Sequence, residues 1–401
     1  MSGVKVSDVR SPFDLGSFEK YIEKSSQQGT TFGLNVPKLV PPFQVKQFDQ
    51  GQSNPTYLLT DSNGFRFVLR RKPSPNNKLV SKSAHAVERE FFILKAIQEC
   101  NRNASKKVPI ATPYLLCEDE AVIGYVFYLM QFVDGYMVKN PAMPHLPPDK
   151  ASRYWNSIMD TLTAIHSLDT DILLQHLPAS HFPQFQPEAM KKAKGTSYFQ
   201  RQIKTLSAVA NKQSQVVDPI PDFARLCEYV EKNAPSDPSK KALIHGDFKI
   251  DNILFDPKRD TVMAVIDWEL CTMGHPIFDL ANLLQPFELP NKLNLLLYHP
   301  DVTEIGIESA DSKKFVEEKL KQYSKLLGHE WDPSDPSNNP LDKWSVGYVF
   351  GLLRLCVISQ GIAMRMAKGS ASSAQASHFA SLYKPLSQLA LGRLNSPSSK
   401  L

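Results

Sequence analysis

Four polar side chains stand out by type and spacing: Asp247, Lys249, Asn252 and Asp267. The first three lie in His245-Gly-Asp-Phe-Lys-Ile-Asp-Asn252, directly after the apolar run Ala242 to Ile244. Asp267 closes a second apolar run, Met263 to Ile266, fifteen positions after Asn252. Moving a phosphoryl group onto a hydroxyl asks a protein for in-line positioning and neutralised charge, with little covalent chemistry. A carboxylate must take the proton of the attacking hydroxyl, a role that suits Asp247, and the Lys249 cation can steady phosphate oxygens. Magnesium prefers carboxylate and amide oxygen, which Asp267 and Asn252 offer. Asp and Asn are common in turns for local reasons, so one such pair would carry little. Here a His, a Gly, a Lys and a strand-terminal Asp arrive together and in order.

The kinase catalytic loop His-Arg-Asp-Leu-x-x-x-Asn sets its base five residues before its metal-binding Asn, the separation of Asp247 and Asn252. With His-Gly-Asp for His-Arg-Asp, and Ile266-Asp-Trp-Glu269 later, the chain resembles the aminoglycoside phosphotransferase and choline kinase superfamily of small-molecule kinases. The longer set, with Gly274-His-Pro276 and Asp279-Leu-Ala281, is similar to the kinase-like domain at the front of certain acyl-CoA dehydrogenase fusion proteins. The resemblance implies an α+β, bilobal protein-kinase-like fold: a small antiparallel-sheet N-lobe over 1–132 and a larger, mainly helical C-lobe over 133–398. It also implies ATP, Mg2+ and a small hydroxylated substrate, with His245 bracing the loop by hydrogen bonding and Asp279 supporting it from behind. From the fusion-protein relatives the implied substrate is a hydroxyacyl-CoA, with the hydroxyl at carbon 4, whose phosphorylation primes its removal before β-oxidation by a separate enzyme.

The elements that must position these groups follow in chain order. Leu15, Phe18 and Ile22 recur at helical spacing within a lead-in to about residue 40. Alternating apolar residues on either side of Gly51-Gln-Ser53-Asn54 suggest two strands around a turn. Small residues there let backbone N–H groups approach phosphates, and Gly-x-Ser-Asn is similar to the superfamily's pattern. Asp61-Ser-Asn-Gly64 is a hairpin turn. On the next strand Arg70 falls where kinases carry their phosphate-pairing Lys, and Lys72 is the alternative. The amphipathic helix Ala84 to Ile97 offers Glu90, or else Glu88, as partner to that cation. The strand from Tyr125 runs into Met130 to Val133, the expected hinge, with Gln131 and Val133 presenting backbone groups to adenine. A long helix from Pro147 to Leu168 carries His166 on its apolar face, a structural histidine or a ligand. Lys191, Lys192, Lys194, Arg201 and Lys204 make a basic cluster, read either as a solvated face or as a surface for a phosphorylated substrate such as coenzyme A. Tyr198, Arg201 and Gln202, which resemble a run in the fusion-protein relatives, and Arg354 in the apolar stretch Trp344 to Met366 are the candidate substrate residues.

A net charge of +5 suits an anionic ligand but leaves no nucleic-acid footprint. Five scattered cysteines without a C-x-x-C pair argue for reduced thiols and against zinc. No apolar run is expected to reach the length of a transmembrane helix, and the polar N-terminus makes a poor signal or transit peptide. Ser399-Lys-Leu401 matches the address read by the peroxisomal import receptor, which predicts the peroxisomal matrix. Two competing readings are a kinase for another small alcohol (choline, an amino sugar or an antibiotic) and a non-catalytic nucleotide-binding scaffold.

Overall fold

The Asp61–Gly64 turn pins the main sheet. Gly64 takes φ of 80°. The buried Asp61 carboxylate accepts the N–H groups of Asn63 at 2.9 Å and Phe65 at 2.8 Å. The strands so joined, Thr56–Thr60 and Arg66–Arg71, pair antiparallel with Thr56 opposite Arg70 and Leu58 opposite Val68. In the computed structural model, which describes residues 2–3, 5–27, 38–49, 54–73, 86–192, 195–238, 241–297, 310–328, 338–369 and 376–395, these strands belong to a six-stranded antiparallel sheet. Its order is Val6–Ser7, Gln44–Phe48, Thr56–Thr60, Arg66–Arg71, Phe127–Gln131 and Pro113–Cys117. The two-residue strand Val6–Ser7 is an addition to the helical lead-in that periodicity predicts.

The chain divides into two compact units of three segments each. Met1–Val138, Leu168–Lys191 and Asp251–Cys271 make the first; Lys139–Ser167, Lys192–Ile250 and Thr272–Leu401 make the second. In the first unit, strand alternation sends Tyr57, Leu59, Phe67, Leu69, Phe127 and Leu129 to one face, where they bury Phe18 and Ile22 of the helix Leu15–Gln27. On the other face Arg70 lies opposite Tyr128 and Val68 opposite Met130. The helix Val87–Asn103 buries Val87, Glu90, Phe91, Leu94 and Ile97, and Phe91 meets the Tyr128 ring with centroids 6.0 Å apart. A second sheet orders Ser2–Gly3, Tyr136–Met137, Ile253–Phe255 and Val262–Val265. It supports a small apolar cluster of Ala111, Val133, Met137, Leu254 and Ala264.

The second unit is helical around one short antiparallel pair, Ala242–Ile244 with Thr272–Gly274. The 28-residue helix Pro340–Ala367 starts on Asn339, whose side chain accepts the Leu341 N–H at 2.8 Å. It approaches Ile277–Leu284 so closely that a Cβ on Gly347 would lie 2.7 Å from Ile277 Cγ1. Contrary to the sequence expectation, it is by length and composition apolar enough to cross a membrane, because its polar residues leave an 18-residue apolar window; 72% of that window is buried inside the protein. Apolar residues all round a helix are what core burial requires. All five cysteines are buried and free.

Candidate active site

Strand parity sorts the three consecutive cations of the first unit. Arg71 points to the face that buries the helix Leu15–Gln27, where Nε donates to Tyr57 Oη at 3.0 Å and the guanidinium lies 3.8 Å from the Tyr125 ring centroid. Arg70 and Lys72 take the opposite side, and the two open pairings resolve together. Arg70 Nε lies 3.1 Å from Glu90 Oε2, while Lys72 Nζ lies 2.7 Å from Glu88 Oε1. Arg70 Nη2 also reaches Asp267 Oδ1 at 2.6 Å and Glu269 Oε2 at 3.4 Å. Burial works to lower the Arg70 pKa, but Glu90, then Asp267, with Glu269, hold it well above its ordinary value. Burial pushes Glu90 up against the opposing pull of Arg70.

Two further bonds tie this cluster to the chain around it. Glu90 Oε1 accepts the Trp268 N–H at 3.1 Å, and Glu269 Oε2 accepts from Asn54 Nδ2 at 2.9 Å. Asp267 sits in the left-handed region at φ 68°, uncommon for a residue with a side chain and frequent at functional sites. The Asn252 carbonyl accepts the Ile266 N–H at 3.0 Å, so Asn252 and Asp267 come from the ends of two paired strands. Arg70, Glu90, Asn252 and Asp267 line one cleft with Gln131 and with Ala111, Val133, Met137 and Leu254 of the apolar cluster; it encloses about 930 Å³ with its open mouth included. Pockets of this size hold cofactors. Among the described residues no group of three or more His, Cys, Asp or Glu could hold a metal ion by itself. Asn252 and Asp267 do supply hard oxygen donors, and magnesium habitually completes its shell with phosphate oxygens and water.

In the second unit the chain leaves the strand Ala242–Ile244 through His245, buried, and Gly246, whose φ of 84° suits a residue without a side chain. The fully buried Asp279 carboxylate grips this turn. Oδ2 accepts the His245 N–H at 2.7 Å and Oδ1 the Gly246 N–H at 2.9 Å. His166 Nε2 lies 3.1 Å from Asp279 Oδ2 and its Nδ1 2.7 Å from Tyr323 Oη. The sequence left His166 as ligand or scaffold; its buried partners make it scaffold. His245 Nδ1 accepts the Asp247 N–H at 3.2 Å. Lys249 Nζ lies 3.3 Å from Asp247 Oδ2, both side chains about a third exposed at 33% and 29%. Burial raises the Asp247 pKa, but Lys249, Arg354 and His245 outweigh it and hold the group below its ordinary value.

The candidate substrate residues also fall in this unit, in different surroundings. Tyr198 opens the helix Tyr198–Gln213, which begins with a Ser197–Gln200 capping box. It is buried, its N–H donating to Asp237 Oδ1 at 2.7 Å. Arg201 is tied to the Thr196 carbonyl and to Asp237, and Gln202 is half-buried. Arg354 lies with its guanidinium 4.6 Å from the Phe278 ring centroid, near enough to Tyr198 and Asp247 to act on the charge of both. Gly51, Ser53, Lys194 and Ser399–Leu401 lie outside the described residues. Sequence reasoning assigned no role to Glu269 or Tyr128. The place of Glu269 two positions after Asp267, and of Tyr128 on the strand beside Arg70, were the available signals.

His275, fully buried, gives a pH dependence. Burial, and then the charges of His166 and Lys343, lower its pKa to about 3. The folded protein keeps this ring neutral while the unfolded chain takes a proton below about pH 6.5. Stability is therefore complete above that pH and falls as pH drops towards 3, at about 1.4 kcal/mol per pH unit. Urea midpoints taken from pH 7 to pH 5 should decline more steeply for the wild type than for His275→Gln, which keeps an acceptor for the Ile277 N–H. Equal slopes would remove His275 as the cause.

An antiparallel sheet whose central strand carries a cation paired to a helix Glu, with a strand-end Asp beside it and a mainly helical unit in the same chain, is a protein-kinase-like α+β fold. Residues 44–301 match the model of the phosphotransferase enzyme family, and the chain belongs to that family. It is 34% identical over 378 residues to acyl-CoA dehydrogenase family member 10 of Mus musculus, covering 93% of this chain and 30% of the relative. With family member 11 of the same organism it is 32% identical over 382 residues, covering 94% and 43%. The chain thus spans less than half of these curated relatives. A crystal structure from Ralstonia eutropha, whose assignment as an aminoglycoside phosphotransferase is itself inferred, is 26% identical at a TM-score of 0.68, covering 95% of this chain and 98% of that one.

Proposed function

We propose that this phosphotransferase moves the γ-phosphoryl group of ATP to a hydroxyl of a small molecule, and that the acceptor is a hydroxyacyl-CoA carrying its hydroxyl at carbon 4. The observation that carries the reaction type is Asp247, kept ionised by neighbouring cations five residues before Asn252. Asp247 accepts the proton of the attacking hydroxyl, and Lys249 stands 3.3 Å from it to offset charge as the phosphoryl group arrives. Arg70 supplies a guanidinium fork to the nucleotide phosphates, fixed by Glu90, and the apolar cluster with Gln131 and Val133 receives the base. Asn252 and Asp267 would hold magnesium, which when bound neutralises phosphate charge.

The acceptor rests on the relatives' names, which place similar sequence beside acyl-CoA dehydrogenase chemistry, and on the cations Lys249 and Arg354 near the base. Those cations favour an anionic or carbonyl-bearing acceptor over choline or an amino sugar, both of which are cationic. Incubation with magnesium-ATP and a panel of 4-hydroxyacyl-CoAs, 3-hydroxyacyl-CoAs, choline and aminoglycosides, followed by mass spectrometry, should find phosphate on the 4-hydroxyacyl-CoA. Transfer only to another alcohol overturns the acceptor. Nucleotide binding without transfer to any compound favours a scaffold.

A further inference from the structure

The charge around Arg70 is unequal: one buried guanidinium faces the carboxylates of Glu90, Asp267 and Glu269. The three carboxylates differ in what holds them. Glu90 is 2% exposed; its Oε2 lies at ion-pair distance, 3.1 Å, from Arg70 Nε, and its Oε1 accepts the Trp268 N–H. Glu269 is shared with Asn54. Asp267 is 32% exposed and faces the cleft, yet its Oδ1 makes the shortest of the contacts, 2.6 Å to Arg70 Nη2. The tip of the fork that a triphosphate would need is therefore spent on the carboxylate that a metal would need. A planar fork can keep one edge on Glu90 while its other tip changes partner; an ammonium point charge cannot divide itself in that way.

On the phosphotransferase reading, we infer that Arg70 is a two-position tether for Asp267. Without metal and nucleotide, Nη2 holds the Asp267 carboxylate. With both present, Asp267 turns to the metal, Nη2 turns to phosphate oxygen, and Nε stays on Glu90. No covalent bond changes; one ion pair is exchanged for two. Metal alone and nucleotide alone each compete with the Arg70–Asp267 pair. Each removes the other's competitor, so their binding is coupled and reciprocal.

The test is equilibrium binding, independent of turnover. Manganese alone, followed by electron paramagnetic resonance of the free ion, should bind Arg70→Lys about tenfold more tightly than wild type, the worth of one charge-assisted hydrogen bond. The charge is conserved in that variant, so a general field effect leaves the affinity unmoved. ADP in the presence of EDTA should bind Asp267→Asn about tenfold more tightly than wild type. That gain should shrink in the double variant, where the fork is missing. Asp267 is partly exposed, so its substitution keeps the test available should Arg70→Lys misfold. Unchanged or weaker affinity in either single variant, or an undiminished gain in the double variant, overturns the tether. If the wild type binds no nucleotide even with manganese, the phosphotransferase reading fails, while the manganese-only comparison still decides the tether.

Discussion

Asp247→Asn should lower transfer to the acceptor by about 10³-fold while leaving nucleotide affinity unchanged. The substitution keeps the shape of the side chain and one acceptor oxygen but removes the proton acceptor. Phosphoryl transfer draws most of its rate from positioning and charge, so a base that merely took a proton late would cost less. On the proposed reading Asp247 would combine both tasks: it would orient the hydroxyl, and its 3.3 Å pair with Lys249 would be redistributed when phosphoryl charge arrives. Nucleotide affinity should hold because the cleft of the first unit is lined by Arg70, Glu90, Asn252 and Asp267, and Asp247 is not among its lining residues. The wild-type pH profile follows from the same surroundings. Burial pushes Asp247 up, and Lys249, Arg354 and His245 hold it below its ordinary 3.8. The base form is full at neutral pH, and an acid limb due to Asp247 falls below 3.8 rather than near neutrality. Transfer measured as phosphate on the acceptor, beside nucleotide binding by calorimetry, checks both halves. Transfer within tenfold of wild type would take Asp247 out of the mechanism.

The chemistry was more legible than the pairing. Asn252 and Asp267, which the fold brings to one cleft, could be picked from spacing, because phosphoryl transfer asks for a base followed by hard oxygen donors in that order. The cation was not as plain. Alternation along Arg66–Arg71 separates Arg71 from Arg70 and Lys72 but cannot rank the latter two, since both share a face. The choice depends on how the helix Val87–Asn103 is set over the strand, a long-range register that places Glu90 on Arg70 and Glu88 on Lys72. Glu269, quoted with the Ile266-Asp-Trp-Glu269 run, was given no role for the same reason. Its partners are Asn54 and Arg70, 215 and 199 positions away, and no local pattern records them. Val6–Ser7 was too short to show a period. His166 read as ambiguous because its worth lies in Tyr323 and Asp279, which the fold delivers from distant helices.

Removal of the Asp279 carboxylate should strongly destabilise the second unit. Its two oxygens accept the His245 and Gly246 N–H groups and face His166 Nε2, all without solvent. Asp279→Ala leaves two buried backbone donors and an imidazole without that acceptor. At about 1–3 kcal/mol for each orphaned group, a loss of about 4 kcal/mol is expected, at the upper end for single substitutions. Asp279→Asn is the informative companion. Its amide oxygen can take one N–H, but its NH2 then faces a donor, so the turn at Gly246 loosens while the unit stays folded. Because that turn sets the direction in which Asp247 and Lys249 leave the strand, Asn should reduce kcat about 10–100-fold, in keeping with the cost of misplacing a reacting group. KM for ATP should not change, since Asp279 does not line the nucleotide cleft. Hydrogen exchange gives a direct readout: the His245 and Gly246 amides should lose protection in Asp279→Asn, while those of the Arg66–Arg71 strand keep theirs. Wild-type protection at both amides alongside a reduced kcat would show that Asp279 acts on the reaction by some route other than holding this turn.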